Sequence, residues 1–337
     1  MTSSHEVPRP AGSVAICIPT YRRPEDLARL LASLPAVTAT AIDEALCREV
    51  SVVVVDNDPA GSAADVIVRT ELPLRYLREA TPGVAAVRNR ALDEARDCDV
   101  VVFIDDDETP ADPGWLAALL RTRRDHDADV VAGPVRTVVD GVLDPWVVAG
   151  GFFARAHRTH LQTGDAISAA ASNNLLLDMS FVRQSRVRFD ERFGRSGGED
   201  SLFTSQLRAR GARMVWCRDA GVLDHLPAHR QSRQHALHRT RGMAAAGVRV
   251  SLALAEDSRG RRVGVRARAL AAALARMGSG TIRIAAATVS RSQGADAVGR
   301  RDLARGLGGI DGLAGRDHAY YGARAATAAR QRQEEMT

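Results

Sequence analysis

Short apolar runs alternate, along the first two thirds of the chain, with longer stretches whose apolar positions recur every third or fourth residue. Ser13–Ile18 (SVAICI), Ser51–Val55 (SVVVV) and Val100–Ile104 (VVVFI) carry no charge, are rich in β-branched residues and stop abruptly at polar ones. Unbroken runs of this kind read as strands buried on both faces. Between them, Pro24 opens a helix with Glu25 and Asp26 in its first turn and Leu27, Leu30, Leu31 and Leu34 as its apolar stripe. A short helix and a strand near Leu74–Arg78 follow the second run. Thr81 and Pro82 then supply an N-cap and first position for a helix whose Val84, Val87, Ala91 and Leu92 face the sheet. Asp112-Pro113 starts another, carrying Trp115, Leu116, Leu119 and Leu120. Strands and helices alternating in this way predict an α/β fold with a mostly parallel sheet and right-handed crossovers.

Beyond Val130–Val139 the pattern loosens, and residues 140–170 form a long irregular segment with Gly, His and aromatic residues, suited to shaping a binding site. Asn173 and Asn174 open a strand (Ser172–Leu177), and GRSGGED (Gly194–Asp200) leads into the helix SLFTSQLRARG. Arg213–Cys217 and Ala220–Leu226 read as the last strands. From about Ser232 Ala, Arg and Leu dominate, strands vanish, and helices separated by Gly are expected. The predicted organisation is a disordered leader at 1–12, a catalytic domain at 13–231 and a helical region at 232–337.

Composition changes this picture little. The 337-residue chain has a formal charge of +5 and contains no lysine, so all 46 basic side chains are arginine, whose fork suits phosphate oxygens. The four cysteines form no C-x-x-C pair, which removes a zinc site and a disulfide framework. The amino-terminal residues lack the apolar core of a signal peptide, and no run is long enough to span a bilayer. A cytoplasmic location is expected. No GxGxxG occurs, which argues against nicotinamide and flavin enzymes.

The chemistry gathers where the predicted strands leave the sheet: Pro19-Thr20-Tyr21-Arg22-Arg23, Asp56-Asn57-Asp58, Pro82 to Asn89, and Asp105-Asp106-Asp107-Glu108. Open α/β sheets bind ligands at that edge. Adjacent carboxylates repel, so such a run is either a well-solvated turn or is neutralised by a cation. Carboxylates beside arginine-bearing loops suit a metal-bound diphosphate, with Mg²⁺ or Mn²⁺ taking hard oxygen ligands.

The series SVAICIPTYRRPEDLARLLASL, VVVVDND, PGVAAVRNRALDEA, FIDDDE and GGEDSLFTSQLRARG resembles the family 2 glycosyltransferases in order and spacing over roughly residues 13–230. The resemblance implies a GT-A fold, a nucleotide-sugar donor, a divalent metal and inversion at the anomeric carbon. Pro19, Thr20, Tyr21 and Arg23 then lie around the nucleotide, and Asp56 resembles the acid that contacts the base. Asp105 and Asp107 match the family's Asp-x-Asp pair. Asp107 is the direct metal ligand and Asp105 the one nearer the ribose, and Asp106 counts with the donor-binding residues. Arg88 and Asn89 match the Arg-Asn pair that supports the donor pocket. Glu199-Asp200 matches the Glu-Asp pair whose Asp is the general base. His225 completes the metal shell and Arg230 holds the diphosphate in the same comparison.

Each of these residues also has a plainer reading. Glu199 and Asp200 are favourable first-turn acids for any helix. His225 serves as a satisfied surface histidine, and Trp146, Phe152 and Phe153 are core or lid residues as readily as an acceptor platform. Ala269–Met277 and Thr281–Val289, with arginine flanks, either lie on the anionic inner face of a membrane or pack against the catalytic domain or a second subunit, as a homo-oligomer would require. UDP is the first-choice nucleotide, with dTDP and GDP open, and the acceptor is an unspecified hydroxyl. The rivals are a nucleotidyltransferase, which wants a glycine-rich loop that PTYRRPED lacks, and a nucleic-acid-binding protein using the arginine-rich tail. The acidic cleft disfavours the second, and no nucleic-acid partner is expected.

Overall fold

The computed structural model describes residues 11–67, 70, 72–154, 158–194 and 196–316. The expected leader up to residue 10 and the tail from residue 317 lie outside the described residues. In chain order the elements are β1 (Ala11–Thr20), α1 (Pro24–Asp43), β2 (Cys47–Asp56), α2 (Ala64–Ile67), β3 (Leu74–Arg78), α3 (Val84–Glu94), β4 (Val100–Ile104) and β5 (Glu108–Pro110). They continue with α4 (Trp115–Asp125), β6 (Val130–Ala132), β7 (Val135–Val138), α5 (Pro145–Gly150), β8 (Asn174–Asp178), α6 (Met179–Ser185) and α7 (Glu199–Ala209). The last are β9 (Met214–Trp216), β10 (Val222–His225), α8 (Arg233–Ala253), α9 (Arg259–Ser290) and α10 (Gln293–Leu313).

The chain divides into two compact units. One comprises Met1–Val138, Arg155–Phe189 and Phe203–Leu226, and the other Val139–Ala154, Asp190–Leu202 and Pro227–Thr337. The first unit is built on a seven-stranded sheet of order β3-β2-β1-β4-β8-β6-β9, parallel except for β8, which runs antiparallel to both neighbours. Apart from the half-exposed edge strand β3, its strands are largely buried on both faces, as their apolar runs require. Ile16, Ile18, Val52, Val54 and Val102 pack under Leu27, Leu30, Leu34, Trp115 and Leu119 on one side. Cys17, Val53, Val55 and Phe103 pack under Val87, Ala91 and Leu92 on the other.

Three local expectations are corrected. Helix α1 does not stop at Leu34 but runs through Pro35 to Asp43. Proline removes one helical hydrogen bond, yet Val37, Thr38 and Ala41 continue the buried stripe and outweigh that cost. Helix α3 is capped by Gly83 rather than Thr81, and no side chain caps it. Residues 130–139 are two strands: Gly133-Pro134 carries the chain from β6 to β7, which joins β10 and β5 in a separate three-stranded sheet. Gly133 makes the transfer sterically feasible, because a Cβ there would lie 2.1 Å from the Ala220 carbonyl oxygen.

In the second unit, α5 and its flank pack Trp146, Val147 and Phe152 with Ala236 and Ala297, so these aromatics are core. Trp146 stacks on Phe152 at 5.1 Å and donates from Nε1 to Asp296. The tail glycines expected to separate helices lie inside them. Ala273, Gly280 and Ala287 of α9 form a buried seam against Gly299, Gly306 and Gly309 of α10. At Gly280 the two backbones touch, and a Cβ would stand 2.7 Å from the Gly299 oxygen and 2.8 Å from the Leu303 nitrogen. On the far side of α10, Gly308 and Gly312 meet the carbonyls of Arg241 and Ala245 on α8.

Gly280→Val is expected to lower stability by about 1–3 kcal/mol through overpacking. Gly278→Ala, two residues away with nothing near its Cβ position, should raise it by about 0.5–1 kcal/mol. Urea midpoints of the two variants check the contrast. A second expectation concerns His235 on α8, which burial and then Arg230 and Arg239 push down to about 4, with Nε2 enclosed and unpartnered. The folded chain therefore resists a proton that the unfolded chain accepts, so stability is full above about pH 6.5 and falls as pH drops toward 4. His235→Gln should flatten that slope, as read from melting temperatures between pH 4 and 7.

Candidate functional site

Register sets the site. β1 pairs with β2 so that Thr20 lies opposite Asp56, and with β4 so that Cys17 lies opposite Phe103. The carboxyl ends of three adjacent parallel strands therefore share one edge, where ligands bind in such sheets. The acidic run leaves β4 as a turn at 105–107 and enters β5 at Glu108.

Each acid of the turn is held by an arginine from a neighbouring element. Arg23, just beyond β1, donates from Nη1 to Asp106 at 2.9 Å and to Asp107 at 2.7 Å. Thr20 donates its hydroxyl to the other Asp106 oxygen at 2.8 Å. Arg88 on α3 donates from Nη2 to Asp105 at 3.1 Å. Asp105 retains 27% of its side-chain exposure and Asp107 14%, whereas Asp106 keeps 5%, so the outer two face solvent and the middle one faces inward. Burial drives Asp106 up to about 7 despite the pull of Arg23. Burial likewise raises Asp105 above the usual carboxylate range, with Arg88 opposing it.

Arg88 is itself buried, with its guanidinium 5.8 Å from the Phe189 ring. Asn89 fixes that ring's backbone: its amide donates to the Phe189 carbonyl at 2.9 Å and its oxygen accepts the Phe189 N–H at 3.0 Å. The Arg-Asn pair thus divides its work, one residue holding Asp105 and the other holding the surface beneath the first.

Asp56 is fully buried, accepting from the N–H groups of Asp58 and Ala63 and from the Tyr76 hydroxyl. It shapes the loop after β2 from within. Asp58, named in the strand-end cluster without a role of its own, forms a two-point pair with Arg22 at 3.2 and 3.4 Å. Arg22 adopts φ 55°, an uncommon conformation for a side-chain-bearing residue, and lies over the Tyr21 ring. Asn57 of the same cluster bonds across to the segment before α3. Its amide donates to the carbonyls of Glu79 and Thr81, and its oxygen accepts the Gly83 N–H, all at 2.8 Å. Gly83, the residue before the first turn of α3, meets that contact at φ 123°. Pro19 lies in β1, opposite Val55.

His225 ends β10, and its N–H donates to the Asp107 carbonyl at 3.0 Å. Its Nε2 pairs with the Thr109 hydroxyl at 2.9 Å. Among the described residues no three His, Cys, Asp or Glu side chains converge as a ready metal cage. The donor chemistry nonetheless fits Mg²⁺ or Mn²⁺, which take one or two carboxylates and complete their shell with water and phosphate oxygens. Asn173 donates to Glu108, and Asn174 accepts from the Trp115 indole at 3.0 Å, so both serve the interior.

Glu199, Asp200 and Arg230 belong to the second unit. Glu199 is buried, and Asp200 is half-buried and accepts the Ser201 N–H at 2.6 Å in the first turn of α7. The preceding loop is held by Arg249 of α8, which donates to the Ser196 and Gly197 carbonyls at 3.3 and 3.4 Å and covers the Phe193 ring. No local signal in the sequence points to that partner some fifty residues downstream. Arg230 closes a short turn, Ala228–Arg230.

A mostly parallel sheet flanked by helices, with acids and arginines gathered at its carboxyl edge, defines an α/β enzyme of the GT-A class. The family described as Glycosyl transferase family 2 matches residues 15–176. The succinoglycan biosynthesis protein ExoM of Rhizobium meliloti (strain 1021) is 33% identical over 224 residues, which cover 65% of this chain and 68% of that protein. S. aureus TarS 1-349, solved in complex with UDP-GlcNAc, superposes with a TM-score of 0.50 at 19% identity, over 69% of this chain and 66% of that one. A further TarS structure is covered over 39% of its length at the same TM-score and identity. The chain therefore spans less than two thirds of either TarS chain, and that likeness is one of fold. The chain belongs to family 2 of the glycosyltransferases and is a glycosyltransferase.

Removing Arg23 leaves Asp106 and Asp107 facing each other without their shared cation. Arg23→Met is expected to cost about 3 kcal/mol, the scale for breaking a buried pair on one side, measured as a lower denaturant midpoint with an unchanged slope.

Proposed function

We propose that this glycosyltransferase moves a sugar from a nucleoside-diphosphate donor to an acceptor hydroxyl, with inversion and with Asp200 as general base. The observation that carries the reading is the acidic turn at the end of β4, whose outer carboxylates keep partial access to solvent and are held by Arg23 beyond β1 and Arg88 of α3. A donor diphosphate brings negative charge to that edge, and arginine forks suit its oxygens. Asp107 and Asp105 would hold a divalent cation, which when bound neutralises charge on the departing diphosphate. Asp56, Asn57 and Asp58 shape the loop that would border the nucleotide, and Arg88 with Asn89 keeps Asp105 oriented.

Attack on the anomeric carbon requires the acceptor hydroxyl to lose its proton. Asp200 is the half-exposed member of the Glu199-Asp200 pair, while Glu199 is buried. That difference in access favours Asp200 for the proton, with Glu199 and Arg249 fixing the loop around it. UDP is the first nucleotide to test, because a protein of the same fold was solved with UDP-GlcNAc and with UDP.

Melting temperature measured against UDP, dTDP and GDP, with and without Mn²⁺, tests donor and metal together. One diphosphate is expected to stabilise the fold by about 2.7 kcal/mol at a hundredfold excess over its Kd, and only with the metal. Asp107→Ala should remove that shift and all turnover. Asp200→Asn should keep the shift while kcat drops about 10²–10⁴-fold. Wild-type turnover in either variant overturns the corresponding role.

A further inference from the structure

We infer that α9 is a docking surface for an anionic lipid bilayer, lying along it rather than through it. The helix runs 32 residues, about 48 Å at 1.5 Å per residue. Its fold-bearing side is made of small residues, Ala273, Gly280 and Ala287, which are buried on α10. Met277 and Ile284 also meet α10, at Gly306 and Gly299, but five further large apolar residues are on the outside. Val263 is 62% exposed, Leu270 44%, Leu274 57%, Ile282 71% and Val289 87%. At 3.6 residues per turn these five fall on one side of the helix, away from the seam, with Ala267, Ala271, Ala275 and Ala285 between them. A stripe of large apolar residues left exposed on the side away from the seam departs from the pattern of a helix whose only task is to fold. Burying the outer stripe contributes nothing to the folded unit, so the stripe is available to something else.

The charge on the helix selects the occupant. α9 contains no Asp or Glu, and at 100° per residue the exposed Arg259 and Arg266 fall on one margin of the stripe and Arg261 and Arg268 on the other, all toward its amino-terminal end. Arg283 pairs with Asp302, but among the described residues no carboxylate pairs with Arg262, Arg266, Arg268 or Arg276. Such a helix presents an apolar ridge flanked over its amino-terminal part by uncompensated positive charge, the arrangement that inserts at the headgroup boundary of an anionic membrane. A second copy of the chain is the poorer partner, because packing stripe on stripe sets arginine rows against each other with no acid on either side. Spanning is excluded for this helix, since no helix of the described residues is long and apolar enough to cross a bilayer.

The test is co-sedimentation of the full chain with vesicles of phosphatidylcholine alone and with an added share of phosphatidylglycerol. The expected result is binding to the anionic vesicles only, weakened at least tenfold by high salt, which screens surface charge. A Leu274→Gln, Ile282→Gln double variant should lose at least tenfold in binding while keeping its melting temperature, because both side chains are exposed. Arg266→Gln with Arg268→Gln, one on each margin of the stripe, should weaken binding to anionic vesicles and keep the fold as a second, independent check. Wild-type protein that stays in the supernatant with anionic vesicles overturns the inference, as does undiminished binding by the double variant. Sedimentation velocity covers the competing occupant: a wild-type dimer that the double variant turns into monomer, without vesicle binding, assigns the stripe to self-association instead.

Discussion

The first unit depends on one guanidinium. Arg23 lies between Asp106 and Asp107 and ties the end of β1 to the turn that follows β4. Two carboxylates one residue apart at the edge of a low-dielectric sheet repel strongly, and burial has already driven Asp106 toward its neutral form. With Arg23 and the Thr20 hydroxyl in place, the turn settles with Asp106 inward and Asp105 and Asp107 outward. The remaining contacts of the edge follow from that arrangement. Arg88 meets the outward Asp105, Phe189 lies beneath Arg88, and Asn89 fixes Phe189. A solvated turn needs none of these partners, so the acids are built into the fold and are not merely tolerated at its surface.

Much of this unit is legible in the sequence because doubly buried strands leave an unmistakable trace. Residues 13–18, 51–55 and 100–104 must be apolar without a break, and α1 shows its stripe at Leu27, Leu30 and Leu34. The site's acids are legible for the same reason, since each follows directly on such a run. The small sheet of β5, β10 and β7 is not, because strands of three or four residues with mixed polarity have no period to detect. Nor are Asn57 and the Arg22–Asp58 pair, whose roles arise from register between distant segments and not from local pattern. The passage of α1 through Pro35 runs against a sound local rule, which burial on the far side of the proline overrides.

Glycine in the tail misleads in an instructive way. Read locally, Gly280, Gly299 and Gly306 are helix breakers, and each does cost helix propensity. Packed, they let backbones meet at distances no side chain permits, and the dispersion gained along the seam offsets the loss. The same residue type that weakens an isolated helix therefore defines where three helices join.

That seam also has a mechanical consequence. Where backbone rests on backbone, a helix can neither roll nor slide without driving a Cα into a neighbouring carbonyl. With Gly299 and Gly306 against α9, and Gly308 and Gly312 against α8, α10 is locked on two sides like a keyed shaft. A push on the outer face of α9 is then carried stiffly into α8, whose Arg249 grips the loop before Asp200.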